Sequence, residues 1–279
     1  MDKKKLREEI EAFQETQLNE EFKNLSFTVV LVQPETFGNI GSIARVMKNF
    51  NFERLVVFNP IESIENIKSH EAQGFAMHGK EVLFNSEIIE VKNQRTHLEE
   101  LKEYLKRFDL IIATTAKGSS YTNIKRVAVF PEDFTLPLSE VPLSIAILFG
   151  KESRGLTNEE VRIADINLRI PTSDDYPTLN LSHACGIILY EIFKKLYTIN
   201  IGRGKHPILL ADKEDRTIVY NCIEKIIEKV KIRTYKKENL KDSFKNVFER
   251  SFITKKELSL ITGLFSKIHG IIKDLEIYD

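Results

Sequence analysis

Five short apolar runs rich in β-branched residues, each closed by glycine, proline or a polar turn, constrain this chain more than any other feature. They are Phe27–Pro34 (FTVVLVQP), Leu55–Phe58, Asp109–Ala113, Ser144–Gly150 (SIAILFG) and Ile166–Ile170 (INLRI). A run that is apolar at every position, rather than at every second one, suits a strand covered on both faces, as in a parallel sheet. Between the runs lie helical patterns. Gly38–Phe50 puts Ile43, Val46, Met47 and Phe50 on one face, and Leu181–Leu196 reads as a long apolar helix. The alternation predicts an α/β domain with a mostly parallel sheet. Before it, Leu6, Ile10, Phe13, Leu18, Phe22 and Leu25 recur at near-helical spacing, which predicts an amphipathic helix over residues 1–25. Residues 61–107 carry little signal of their own. IGRGKHP (Ile201–Pro207) reads as a linker, and the residues after it are helical in period and basic. The expected organisation is an N-terminal helix (1–25), an α/β domain (26–200) and a helical C-terminal extension (201–279).

A chain of 279 residues with 42% hydrophobic content can bury a sizeable core. Its 41 basic and 41 acidic residues cancel, so the whole-chain charge points to no particular partner. The distribution is less even: from Ile201 onward there are 17 basic against 12 acidic residues, and Lys229–Lys256 alone holds 10 against 3. Such a stretch is either a solvated helical face or a surface for phosphates. Two cysteines rule out a disulfide framework, and Cys185, inside an apolar run, reads as a core residue. No segment has the length and apolarity of a membrane span, and MDKKKLREEIEAF lacks the apolar stretch of a signal peptide. A cytoplasmic, reduced protein with no metal site and no membrane contact is expected.

Three glycine-containing turns follow strands: Gly38–Arg45 (GNIGSIAR), Phe149–Glu160 (FGKESRGLTNEE) and Ile170–Ala184 (IPTSDDYPTLNLSHA). Ligands of open α/β sheets bind beyond the carboxyl ends of strands, where glycine lets backbone approach closely. None of the three is a dinucleotide fingerprint or a phosphate loop. As a set, in this order, they resemble the signature motifs of the SpoU/TrmH branch of the SPOUT RNA methyltransferases. Asn39, Gly41 and Arg45 match the first motif. Phe149, Gly150, Glu152, Gly155 and Leu156 match the second, and Pro171, Thr178, Leu179 and Asn180 the third. The wording LTNEE, and TLNLSHA followed by Tyr190-Glu191, is most similar to the TrmJ subgroup of tRNA methyltransferases, especially its archaeal members.

The resemblance, which covers Phe27 to about Tyr197, implies a deep trefoil knot (the SPOUT fold), S-adenosylmethionine as cofactor, a homodimer, and methyl transfer to a ribose 2′-hydroxyl. The implied substrate is tRNA, in its anticodon loop. An rRNA methyltransferase of the same family, or a catalytically idle knotted assembly factor, is the alternative. By motif position the cofactor is expected at Thr114, Thr115, Ala116, Gly150, Ile170, Thr178, Leu179 and Asn180, with Gly150 opening space for the adenosine. Arg45 is the expected catalytic residue. Arginine is nearly always protonated, which favours a stabiliser of the emerging alkoxide that also grips the neighbouring phosphate; a general-base role is the alternative. Asn39 is expected to orient the loop or the substrate, and Glu152 to fix Arg45 or a motif loop by a salt bridge. Thr178 is either a hydrogen-bond donor to substrate or cofactor, or a helix N-cap. His183 reads as a core or interface histidine, and His78 as a loop residue. Lys117, Tyr121, Lys125 and Arg126 combine basic and aromatic character suited to splayed RNA. Lys229, Lys231, Arg233, Lys236, Lys237, Lys241 and Lys245 are the expected phosphate contacts of the extension.

Overall fold

A computed structural model describes residues 8–91, 93, 95–116, 128–203 and 206–274. The chain divides into two compact units, Leu18–Thr198 and one that joins the residues before Leu18 to Ile199–Asp279. The first is built on a six-stranded sheet: β1 (Leu25–Val32), β2 (Arg54–Phe58), β3 (Glu87–Ile89), β4 (Leu110–Thr114), β5 (Leu143–Phe149) and β6 (Ile166–Leu168). The order is β3-β2-β1-β5-β4-β6, and every pair is parallel.

Successive side chains of a strand point to opposite faces, and here both faces are covered, by α1 (Phe37–Asn49), α2 (His97–Leu105) and α3 (Leu181–Leu196). Val29 and Leu31 of β1, with Ile145, Ile147 and Phe149 of β5, enter one core. There they meet Ile40, Ile43 and Met47 of α1 and Cys185, Ile188 and Ile192 of α3. Val30, Val32, Ala146 and Leu148 enter a second core against Leu101, Tyr104 and Leu105 of α2. Burial of each large side chain contributes about 1.5–3 kcal/mol, so the strands must be apolar throughout. Just past the end of α1, Asn51 takes a left-handed φ of 60°, so that the Phe52 N–H donates to the Met47 carbonyl at 2.9 Å.

The strand order fixes where a ligand can bind. The chain leaves β1 toward β2 on one side, while β5 and β4 lie on the other, so connections diverge between β1 and β5. That switch point opens a crevice at the carboxyl ends of the two strands. The register lines the ends up: Leu31 opposite Phe149, Ala113 opposite Leu148, and Leu168 opposite Thr114. All three glycine-containing turns emerge along this edge.

The second unit packs α4 (Lys213–Lys229), α5 (Thr234–Glu249) and α6 (Lys255–Asp274) around Val219, Ile223, Ile227, Phe248, Ile253 and Leu258. Helix α4 starts in a reciprocal cap between Asp212 and Asp215. The Lys255 ammonium lies 2.9 Å from Glu9, 3.6 Å from Asp212 and 3.8 Å from Asp215, which ties the N-terminal residues to this bundle.

Residues 1–25 depart from the single helix that their spacing predicts. Residues 8–11 are helical, Thr16–Leu18 is extended, Glu20–Phe22 is a turn of 3-10 helix, and Leu25 opens β1. Tertiary hydrogen bonds override the local pattern: Asn19 donates its N–H to the Leu196 carbonyl at 2.9 Å and its amide to the Lys195 carbonyl at 3.2 Å. Phe22 and Leu25 pack on the sheet instead of on a helical stripe. The edge strand β3, three residues long, leaves no legible signal in the sequence.

Candidate active site

Loop Gln33–Thr36 after β1 and loop Gly150–Gly155 after β5 face each other across the switch point and are cross-braced by two carboxylates. Glu152 accepts from the Glu35 N–H at 2.8 Å, the Thr36 N–H at 3.2 Å, the Thr36 hydroxyl at 3.0 Å and the Asn39 amide at 3.0 Å. Glu35 returns the bracing by accepting from the Ser153 N–H at 2.9 Å and its hydroxyl at 2.6 Å. Lys151 adds a bond to the Gln33 side-chain oxygen at 3.2 Å. Thr36 occupies the N-cap of α1 without capping it, because its hydroxyl is committed to Glu152.

The brace continues into the third loop. The Asn39 oxygen accepts from the Asn180 amide at 3.0 Å, and the Asn180 oxygen accepts from the Ser182 N–H at 2.9 Å and hydroxyl at 2.7 Å. Asn180 is therefore the N-cap of α3, the task that Thr178 was a candidate for. The path Glu152–Asn39–Asn180 joins one residue from each of the three motifs, and each of the three side chains serves its neighbours. Glu152 spends its acceptors on the first loop, and among the described residues no salt bridge to Arg45 is found. Arg45 is exposed and makes no ion pair or hydrogen bond among the described residues.

Two glycines are explained by close approach. A Cβ on Gly150 would stand 2.1 Å from the Leu156 nitrogen and 2.2 Å from the Gly155 carbonyl carbon. The room beside Gly150 is thus filled by its own loop, which folds back through a Lys151–Gly155 bridge with Gly155 at φ 67°. Gly41 meets the Ala72 carbonyl oxygen at 2.4 Å in the same way, so α1 can lie against the helix over His70–Ala76.

The loop after β5 is anchored from beneath. Thr157 and Glu160 form a capping box at the helix Asn158–Val161, and Glu160 reaches on to His97 Nε2 at 2.9 Å. His97 Nδ1 faces the Asn59 amide nitrogen at 3.0 Å; that nitrogen can only donate, which leaves Nε2–H to donate to Glu160. Burial pushes the Glu160 carboxyl up, while the bonds from His97 and the Thr157 N–H outweigh that and hold it below the ordinary carboxylate value. Sequence reasoning missed Glu35, Ser153, Ser182 and His97. For Thr157 and Glu160 the S/T-x-x-E signature of a capping box was on view.

The cofactor candidates line the same edge. The Thr114 hydroxyl donates to the Leu148 carbonyl at 2.9 Å, and Thr115 is buried with its N–H on the Leu168 carbonyl. Ile170 is half-buried and Leu179 exposed, while Thr178 is open to solvent. Cys185 is fully buried, and burial pushes its thiol well up, away from nucleophilic use. His183 and His78 are both exposed. Lys117, Tyr121, Lys125 and Arg126 lie outside the described residues. In the second unit Lys231, Arg233, Lys236 and Lys245 are exposed, Lys229 is half-buried, Lys237 donates to the Glu228 carbonyl, and Lys241 pairs with Glu224 and Glu238.

Residues 26–190 match the model of the SpoU rRNA Methylase family. The chain is 36% identical over 247 residues to a tRNA (cytidine-2′-O-)-methyltransferase TrmJ from Methanocaldococcus jannaschii, covering 86% of this chain and 99% of that one. To the TrmJ of Sulfolobus acidocaldarius it is 32% identical, over 72% of this chain and 79% of the other. Among solved structures, TrmJ from Z. mobilis ZM4 superposes with a TM-score of 0.56 at 20% identity, covering 87% and 98% of the two chains, a likeness of fold.

Proposed function

The chain belongs to the SpoU rRNA methylase family, and from that premise we propose that it methylates a ribose 2′-hydroxyl of tRNA, with S-adenosylmethionine as the methyl donor. The observation that carries the reading is the bonded path Glu152–Asn39–Asn180. It holds three loops in one arrangement at the switch point and, among the described residues, leaves the guanidinium of Arg45 without a partner and open to a substrate.

The residues along this edge suit the cofactor. Ile170 and Leu179 offer apolar wall, and the loops at Thr114–Ala116, Gly150 and Thr178–Asn180 offer main-chain groups to an adenine edge. S-adenosylmethionine, when bound, supplies an electrophilic methyl group. The protein's part is to present the hydroxyl and stabilise its charge. The guanidinium of Arg45 grips the phosphate beside the reacting ribose and stabilises the developing alkoxide. Asn39 and Glu152 are positioning residues, since their polar groups are occupied within the protein. Thr178, exposed at the mouth of the third loop, is the hydroxyl available to substrate or cofactor. The working form is a homodimer, and Ile187 and Tyr190, exposed on α3, supply apolar surface for it. The exposed cations of the second unit add phosphate contacts.

Transfer of labelled methyl from S-adenosylmethionine to total tRNA and rRNA, followed by nucleoside analysis, tests the reading; a 2′-O-methylated nucleoside from tRNA is expected. Product in rRNA alone would make this an rRNA enzyme, and none in either would leave an RNA-binding factor. Arg45→Ala is expected to lose about 10²–10³ in kcat with cofactor affinity retained. Activity within a few-fold of wild type would make Arg45 structural.

A further inference from the structure

On α1, Gly38, Gly41 and Arg45 are spaced i, i+3, i+7 and share one face. The segment Ala72–Gly79 is pressed against that face. A Cβ on Gly41 would stand 2.4 Å from the Ala72 carbonyl oxygen and 2.9 Å from the Phe75 Cβ. One on Gly79 would stand 2.4 Å from the Ala44 carbonyl oxygen and 2.7 Å from the Arg45 Cα. Backbone-to-backbone approaches at both ends leave this segment little freedom to shift relative to Arg45.

Two features of the clamped segment go unexplained by packing. Phe75 is 50% exposed, although one side of its ring is packed: it lies 3.5 Å from where a Gly38 Cβ would be and edge-on to Phe37, with ring centroids 6.2 Å apart. A large aromatic packed on one side and left half in water costs apolar exposure that burial would remove. Met77 takes φ 49° and ψ −116°, a corner normally left to glycine, and is itself about half exposed. Strain of this kind clusters where a surface is shaped for a ligand. The same segment reaches Arg45 at its far end, where Gly79 meets the Arg45 Cα, and Arg45 is a cation without a partner among the described residues.

We propose that Phe75 is a stacking platform for an unpaired base of the RNA substrate, within one or two nucleotides of the ribose presented to Arg45. This rests on the reading of the chain as an RNA methyltransferase. An exposed π face and, further along the same face of α1, a guanidinium without a partner among the described residues together complement a nucleotide, which carries both a π face and a phosphate. The spacing agrees. Gly38, against which the ring rests, and Arg45 differ by seven helical residues, about 10 Å along the axis, a distance that a splayed strand covers in one to two nucleotides.

The test uses the full-length protein and a tRNA transcript that the wild-type protein methylates, with 2-aminopurine placed on either side of the methylated nucleotide. Wild-type protein is expected to change the fluorescence of one of the two positions. Phe75→Leu keeps the apolar bulk and removes the π face, so it should abolish that change. It should also weaken tRNA binding by about fivefold or more, with S-adenosylmethionine affinity and melting temperature unchanged. Phe75→Tyr should restore both. No fluorescence change at either position with wild-type protein, or unaltered tRNA affinity in a folded Phe75→Leu protein, overturns the proposal. Conversion of a dimer to a monomer by Phe75→Leu also overturns it, since the patch would then serve a second copy of the chain. Absence of methylation of any RNA by wild-type protein would instead remove the functional reading on which the platform depends.

Discussion

Replacing Glu152 with glutamine isolates the brace that shapes the site. Glutamine keeps the length of the side chain but turns one acceptor oxygen into an N–H₂ donor. The less costly orientation leaves its oxygen to the three donors from Thr36 and Asn39, and sets the new amide against the Glu35 N–H that Glu152 meets at 2.8 Å. A hydrogen bond to a charged acceptor contributes about 1.5–3 kcal/mol. Glu152 is half-buried, so water replaces part of the loss and the expected cost is about 1–2 kcal/mol. For a domain of this size that lowers the melting temperature by about 2–8 °C. Hydrogen exchange at the Glu35 and Thr36 amides should quicken well beyond the global change, because those two N–H groups lose their partner or its charge. Methyl transfer should fall in kcat more than in cofactor affinity, since the brace fixes the turn that starts the Arg45 helix. Glu152→Ala and Asn39→Ala should be non-additive, with a coupling of about 0.5–3 kcal/mol, because they cut one network. Unchanged stability and unchanged exchange at Glu35 and Thr36 in the glutamine variant would refute the brace. Strict additivity in the double mutant would show that Glu152 and Asn39 act separately.

Gly150→Ala should destabilise the catalytic unit by about 1–3 kcal/mol, and weaken S-adenosylmethionine binding only as far as the loop moves, since its Cβ meets backbone at 2.1 Å; a normal melting temperature with lost cofactor binding would instead put the glycine in direct contact with the ligand. Glu160, held below its ordinary value of 4.5, contributes stability that is present above about pH 4.5 and is lost as the pH falls through its lower folded value. Glu160→Gln should therefore flatten the acid side of a stability-against-pH curve, and an unchanged acid side would show that the His97–Glu160 contact is energetically idle. Arg233→Glu with Lys236→Glu, both exposed, should weaken tRNA binding and flatten its dependence on salt, with folding and cofactor affinity intact; unaltered affinity and salt slope would make this stretch an ordinary solvated face.

The strands around Val29–Val32 and Ile145–Phe149 were legible because parallel, doubly covered strands must be apolar at every position, a local consequence of burial on both faces. The order of those strands was not legible, and it is the order that brings the carboxyl ends of β1 and β5 together. The motif residues were legible as a set, and so was Arg45 as the catalytic candidate with Asn39 and Glu152 in support; the partners that hold those two were not. The resemblance implies an orienting role for Asn39 and Glu152 and a cofactor contact for Asn180, without saying what each is bonded to. Their geometry separates them: the three are bonded to one another and to backbone N–H groups, whereas Arg45 is left unmatched among the described residues. A hydrogen-bond partner more than a hundred residues away leaves no mark on local spacing. That is why Glu35 and Ser153, which complete the brace, went unread. Gly150 shows the same limit from the other side. Its place in a motif suggested room for a ligand, but a glycine is demanded by any close neighbour, and here the neighbour is the chain's own Gly155–Leu156 backbone. The role of this glycine then follows from what it closes: by letting the loop turn back on itself, it sets Glu152 where one carboxylate can reach Glu35, Thr36 and Asn39 together. The chemistry assigned to Arg45 therefore depends on a turn that itself need not touch the substrate.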